Sequence, residues 1–226
     1  MNSFRYNMMV NKFKYLILLG ILCLAGISHG QKGYELGGWL GTSFYFGDLN
    51  TNLKITKPSL AGGLNARYNF NTRIAAKTSL NYGRIAADDA NSDNNFERNR
   101  NLSFQSHIFD WSNVIEFNFF KYEHGHKEFY MTPYFFGGFN VFHFNPTAEL
   151  DGEKYSLRNF GTEGQPLGQE YSPFNLGLIL GGGFKYDINR TWSVNLEIST
   201  RFVFTDYLDD VSSIFPDKTL LESTRG

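Results

Sequence analysis

Between Ser59 and Phe70 the residues alternate in character. Leu60, Gly62, Leu64, Ala66, Tyr68 and Phe70 share one parity, and Ser59, Ala61, Gly63, Asn65, Arg67 and Asn69 share the other. A period of two sends the two sets to opposite faces of a β-strand. Ile74–Gly83, Phe174–Asp187 and Thr191–Phe204 repeat the arrangement. The pattern predicts seven strands, near 34–47, 59–70, 73–85, 102–120, 129–143, 174–187 and 191–204. Strands of about ten residues or more with an apolar outside and a polar inside mark a transmembrane β-barrel.

The connections alternate in length. Asn71-Thr72 joins strands two and three, Lys121–Glu128 joins four and five, and a tight turn at Asn189-Arg190 joins six and seven. The long loops are 48–58, 86–101, 144–173 and the segment 205–226. Barrels of the bacterial outer membrane keep short turns in the periplasm and long loops outside. With Gln31 starting in the periplasm, every short turn falls on that side.

On the apolar face, aromatic residues are expected at both ends. Phe44, Phe46, Tyr82, Phe174, Phe202 and Phe204 lie at the loop end; Tyr68, Phe70, Phe117, Phe119, Phe184, Tyr186 and Trp192 lie at the turn end. Aliphatic side chains such as Leu176, Leu178, Leu180, Val194, Leu196 and Ile198 fill the band between. Two aromatic girdles around an aliphatic band match headgroups on either side of hydrocarbon. A soluble barrel of the lipocalin type would turn its apolar face inward around a ligand. Its exterior would then need more charge than the polar face here supplies.

The polar face carries Arg67, Arg73, Lys77, Lys185 and Arg201, opposed by Glu35, Glu116 and Glu197, with Asn65, Ser79, Asn81, Asn113 and Asn195 beside them. An interior of about eight strands is only wide enough for side chains to fill it, and buried charges of both signs must pair. We therefore expect a plugged structural lumen formed by Arg67, Lys77, Glu116, Lys185, Glu197 and Arg201. Gly37, Gly41, Gly177, Gly181 and Gly183 suit such crowding. Strand four changes phase between Ile108 and Phe109, which predicts a β-bulge there. Strand five, Phe129–His143, is aromatic on both faces, so its orientation is not fixed by pattern, and Pro133 should weaken its ladder.

Composition agrees with one domain in 226 residues. Aromatics reach 17%, mostly 23 Phe and 13 Tyr, and the formal charge of −1 gives no reason to expect a nucleic-acid partner. Residues 1–30 read as a signal peptide: Arg5, Lys12 and Lys14 precede an apolar core from Tyr15 to Ile27, and Ser28-His29-Gly30 fits cleavage after about Gly30. Export would remove Cys23, the single cysteine, so neither disulfides nor thiolate metal sites are expected in the mature chain. The domain then spans 31–226.

Catalytic chemistry finds little support. His124-Gly125-His126 has ligand-like spacing but sits among Lys and Glu in a turn, and a solvated turn is the expectation. Ser106 and His107 are adjacent, so in a strand they point apart, and no third member of a nucleophilic constellation is suggested. Asp88, Asp89 and the run Thr205–Asp210 offer carboxylates to a divalent cation, although solvated loop carboxylates are the simpler reading. No catalytic residue, cofactor, metal or small-molecule substrate is expected.

Several segments carry a family likeness: Phe44–Asp48, Arg67–Phe70, Asn81–Ala90 with Asp88 and Asp89, Arg100–Phe104, Thr132–Gly138, Phe144–Pro146, Gly161-Thr162-Glu163-Gly164-Gln165, and Phe202–Ser212 with Asp206, Tyr207, Asp209 and Asp210. Together and in this order they resemble the PorG-type outer-membrane β-barrel proteins of the type IX secretion system of Bacteroidota. The resemblance implies a non-enzymatic integral protein of the outer membrane. It also implies association with the periplasmic ring of the lipoprotein PorK and its partner PorN, in protein export and gliding motility. The family-like loops lie on the extracellular side in this topology, whereas that ring is periplasmic. Family members end on an aromatic-rich eighth strand that Pro216–Gly226 does not provide. The chain is therefore expected to be truncated after Gly226 relative to a complete barrel, with strands one and seven facing each other across a gap or in parallel. Alternative readings are a stand-alone barrel that binds extracellular ligands through loops 86–101 and 144–173, and a minor diffusion pore.

Overall fold

In the computed structural model, seven strands form one antiparallel sheet curled into a half-barrel. The structure describes residues 33–47, 58–89, 94–100, 102–150, 152–160, 170–205 and 207–209. The signal-peptide segment 1–30, Gly161–Gly164, Asp206 and Asp210 lie outside the described residues. The strands are β1 (Tyr34–Ser43), β2 (Ser59–Asn69), β3 (Ile74–Asp88), β4 (Ser103–Asn118), β5 (Met131–His143), β6 (Pro146–Leu150), β7 (Glu153–Ser156), β8 (Phe174–Asp187) and β9 (Ser193–Val203). One short helix, α1 (Asn95–Arg100), lies between β3 and β4. The sheet order is β1-β2-β3-β4-β5-β8-β9, and the β6–β7 hairpin pairs onto β4. Six antiparallel pairings in series leave β1 and β9 at the two ends of the order, running the same way.

Two of the short turns use the same chemistry. Asn71 Oδ1 accepts the N–H groups of Arg73 at 2.8 Å and Ile74 at 2.9 Å. Asn189 Oδ1 accepts those of Thr191 at 2.8 Å and Trp192 at 2.9 Å. An Asn side chain that caps the backbone two and three residues ahead holds a tight reversal without glycine.

The alternation read from the sequence sets the two faces. Outward stand Leu36, Leu40, Leu64, Leu80, Ile115, Leu178, Leu196 and Ile198, all strongly exposed. Aromatic rings gather at both ends of this band. Tyr34–Tyr68 and Phe117–Phe135 meet at centroid distances of 5.0 and 5.5 Å at the turn end, and Tyr82–Phe109 and His143–Phe174 at 5.0 Å at the loop end. Leu178, with half its surface open, and Ile198, with about four-fifths, cannot belong to an aqueous exterior that also buries Lys185 and Glu116 completely. The sheet has the inverted polarity of an outer-membrane barrel.

The expected bulge in β4 is absent. The β3–β4 ladder runs in unbroken register from Ile74↔Phe117 to Asp88↔Ser103. Phe104 and Ile108 instead point inward, where Phe104 joins a core of Tyr45, Ile85 and Ala87 against which Ile108, Leu157 and Leu208 pack. Beyond the hydrocarbon the outer wall meets water, so the apolar residues change sides without any change of backbone phase. Asn113, placed on the polar face by the sequence reading, shares the outward parity of Trp111 and Ile115. The β5 orientation is also settled: Thr132, Tyr134, Phe136, Asn140 and Phe142 are buried inward, while Met131, Phe135 and Phe139 face out.

Candidate functional site

Three tiers of side chains fill the concave side. The middle tier centres on Glu116 of β4, which has no exposed surface. Arg67 Nε lies 2.8 Å from Glu116 Oε2, Lys185 Nζ donates to Oε2 at 2.6 Å, and Lys77 Nζ sits 3.3 Å from Oε1. Arg67 also reaches Glu35 of β1 at 2.7 Å, and Lys77 reaches Glu197 of β9 at 2.6 Å. Tyr134 donates to the same Glu197 oxygen at 2.5 Å. Arg67, Lys77 and Lys185 thus balance Glu35, Glu116 and Glu197. These contacts join strands that are not neighbours: β3 to β9, β4 to β8 and β2 to β4. They tie opposite walls together across the lumen.

Aromatic rings supply the remaining contacts in this tier. Lys77 Nζ lies 4.8 Å from the Phe136 centroid, and Lys185 Nζ lies 4.5 Å from that of Tyr134. Rings placed over ammonium groups in a dry space are favourable cation–π contacts. They explain why β5 is aromatic on its inner face as well as its outer one. The neighbouring strand β8 must be bare beside them, with Gly181 as ladder partner of Phe136 and Gly183 of Tyr134. A Cβ on Gly181 would come within 2.5 Å of the Phe136 ring, and one on Gly183 within 2.9 Å of Tyr134.

Nearer the loops, Arg201 does not join the Glu116 cluster. Its Nε faces Asp110 Oδ2 at 3.4 Å. Asn81 donates to Asp110 Oδ1 at 2.6 Å, Asn140 donates to Oδ2, and Trp39 Nε1 donates to Asn81 at 2.8 Å. Asp110 is absent from the sequence expectation, although it shares the parity of Glu116 and that parity could have found it.

The loop end is capped. The segment after β9 crosses the mouth, so that Tyr45 donates to Asp209 Oδ2 at 2.5 Å. Asp89 is fully buried and accepts the Leu102 N–H at 3.1 Å. Tyr207 stacks on Tyr171 at 4.6 Å, and Tyr171 on Phe144 at 5.8 Å. Three of the family-like loop residues, Asp89, Tyr207 and Asp209, therefore hold the cap together, while Asp88 closes the β3–β4 ladder opposite Ser103. The hairpin of β6 and β7 was not expected in the loop 144–173; Gly152, at φ +84°, supplies the positive φ that its turn requires.

At the turn end, 121–128 folds under the lumen. Asp187 accepts from Tyr122 at 2.6 Å and from the Gly125 N–H at 2.8 Å, and His124 Nδ1 lies 2.9 Å away. His124 is thus an anchor, not the freely solvated side chain expected from the sequence. Its hydrogen bond to Asp187 raises its pKa above the ordinary imidazole value, and burial followed by the Asp187 hydrogen bond pushes the Tyr122 hydroxyl up. Gly125 has φ +80°, and a Cβ there would sit 3.3 Å from Arg190 Cα.

A family model described as a domain of unknown function (DUF6089) matches residues 12–224. The chain belongs to the DUF6089 family. No curated protein matches this DUF6089 chain. Among solved structures it is similar to Ail, the attachment invasion locus protein of Yersinia pestis, in complex with the heparin analogue sucrose octasulfate. The identity is 12%, the TM-score 0.36, and the alignment covers 74% of this chain and 80% of that one. Among the described residues of the DUF6089 chain no three His, Cys, Asp or Glu side chains converge as a metal-ligand set.

Proposed function

We propose that this chain is a non-enzymatic integral protein of the outer membrane that serves the type IX secretion and gliding machinery by associating with the periplasmic PorK/PorN ring. The observation that carries the membrane part is the pairing of a lipid-compatible outer wall with ionic residues sealed inside. Support for the machine assignment comes from the ordered motifs between Phe44 and Ser212, which resemble PorG-type proteins. A lumen cross-linked by Arg67–Glu116, Lys185–Glu116 and Lys77–Glu197 gives a stiff wall around a filled interior, suited to anchoring and unsuited to passing solutes. The cap made by Tyr45, Tyr171, Tyr207 and Asp209 speaks against loops free to bind ligands. Export is through a cleaved signal peptide in this reading, and no reaction, cofactor or small-molecule substrate is assigned.

Deleting the gene tests the machine assignment. The reading requires that proteins carrying type IX signals then accumulate inside the cell, and that detergent extracts of the tagged protein contain the lipoprotein ring. Normal export, together with purification as a free monomer, would overturn it.

A further inference from the structure

We propose that the outer wall of β1–β3 holds a phosphorylated lipid of the loop-side leaflet, gripped by Arg84 and His107; this rests on the outer-membrane reading. A groove of roughly 1240 Å³ opens there. Its floor is Gly38 and Gly62, and Leu40, Leu60 and Leu64 form its walls, each more than two-thirds exposed. The ladder places Leu40 beside Gly62 and Gly62 beside Tyr82, so the missing side chain at Gly62 opens a slot between leucines and a girdle tyrosine. A slot without polar groups suits an acyl chain.

The rim has different chemistry. Among the described residues of the seven sheet strands, Arg84 is the one lysine or arginine on the outward face. It stands one outward position beyond Tyr82, at the level where hydrocarbon gives way to headgroups. His107 is its ladder partner. The Tyr82 hydroxyl shares a hydrogen bond of 2.8 Å with His107 Nδ1, which leaves Nε2 turned to other uses. Gln105 accepts from one Arg84 Nη, fixing the guanidinium while its other N–H groups remain. Asp88, further from the membrane on the same face, is already partnered. A fixed guanidinium beside an imidazole recognises a phosphate oxygen pair. A greasy slot directly below selects a phosphate carried on a lipid over one free in solution.

The test uses the full chain purified in a mild detergent, with bisphosphorylated lipid A as the probe and its dephosphorylated form as the comparison, read by native mass spectrometry. The wild type should retain the phosphorylated lipid and not the dephosphorylated one. Arg84→Gln should weaken retention at least about tenfold, the factor that one charge-assisted hydrogen bond supplies, and Arg84→Lys should restore part of it. Gly38→Leu should fill the slot and expel the lipid without harm to the fold, because a Cβ there would meet only Gly63 O at 3.5 Å and Leu64 Cδ2 at 3.6 Å. Retention unchanged in Arg84→Gln, no retention by the wild type, or displacement by inorganic phosphate at equal concentration would each overturn the site. Membrane insertion is scored separately by alkaline carbonate extraction. A wild-type protein released by carbonate overturns the membrane reading and the site with it, whereas an inserted protein indifferent to Arg84 overturns the site alone.

Discussion

Glu116→Gln removes one negative charge from the centre of the lumen at nearly constant volume. Glu116 has four cationic nitrogens within 3.3 Å, two from Arg67 and one each from Lys185 and Lys77. At an effective dielectric of about 20, each such contact corresponds to about 5 kcal/mol of gross attraction. Most of that is offset by the cost of taking both charges out of water. The measurable consequence of removing one partner is the charge left behind, about 3–5 kcal/mol for a buried pair. In the variant, Arg67, Lys77 and Lys185 would face only Glu35 and Glu197. The assay is equilibrium urea unfolding from lipid vesicles, followed by tryptophan fluorescence. Lys185→Met restores the balance of charge, so the double variant should recover at least about 1 kcal/mol relative to the sum of the singles, as coupled neighbours do. A Glu116→Gln protein within about 0.5 kcal/mol of the wild type, the range of ordinary surface substitutions, would refute the sealed-lumen argument. Strict additivity with Lys185→Met would refute it equally.

Three further outcomes follow from the same geometry. Because the folded-state pKa of His124 is raised above 6.5 by Asp187, its contribution to stability is fully present below that value. It is lost as pH rises through the higher folded value; hydrogen exchange at 121–128 should therefore quicken with rising pH beyond intrinsic rates, and His124→Ala should abolish the excess. Gly183→Ala should cost about 1–3 kcal/mol by overpacking, since the added carbon meets both the Tyr134 ring and Leu196 O; an unchanged urea midpoint would contradict that. In planar bilayers the wild type should show negligible conductance. Glu197→Ala, which removes the carboxylate oxygen that Lys77 and Tyr134 share, should raise it, and so should Arg201→Ala.

The strands were legible because a single rule, alternation across a pleat, governs a wall with lipid on one side and ions on the other. β2 and β9 follow it closely, and β8 departs from it at Ile179, which packs inside against Val114, Tyr134 and Phe136. The rule breaks where the solvent changes. Phe104 and Ile108 suggested a bulge because the outward face was assumed apolar along the whole of β4, yet its loop-side third stands in water above the membrane. In β5 the rule is blurred because Tyr134 and Phe136 serve as inner-face partners of Lys185 and Lys77, a role that alternation alone cannot separate from lipid contact. The charged lumen residues were readable as a set, but their pairing was not. Arg201 pairs with Asp110 and not with a glutamate, because strand tilt and register decide which inward positions share a level. The cap was visible only as motifs: Asp89, Tyr207 and Asp209 carry a pattern, and their burial depends on contacts between segments such as Tyr45 and Asp209, 164 residues apart.

Site-directed labelling tests the central claim most directly. Cys23 is the single cysteine, so with Cys23→Ser each new thiol reports alone. Leu178→Cys, Leu196→Cys and Ile198→Cys in protein inserted into bilayers should react with a lipid-soluble maleimide and resist a charged one, while Asn71→Cys in the turn should react with the charged reagent. Protection of all three band positions from both reagents, with Lys77→Cys and Arg201→Cys open to the charged one, would show the polarity reversed and contradict the account.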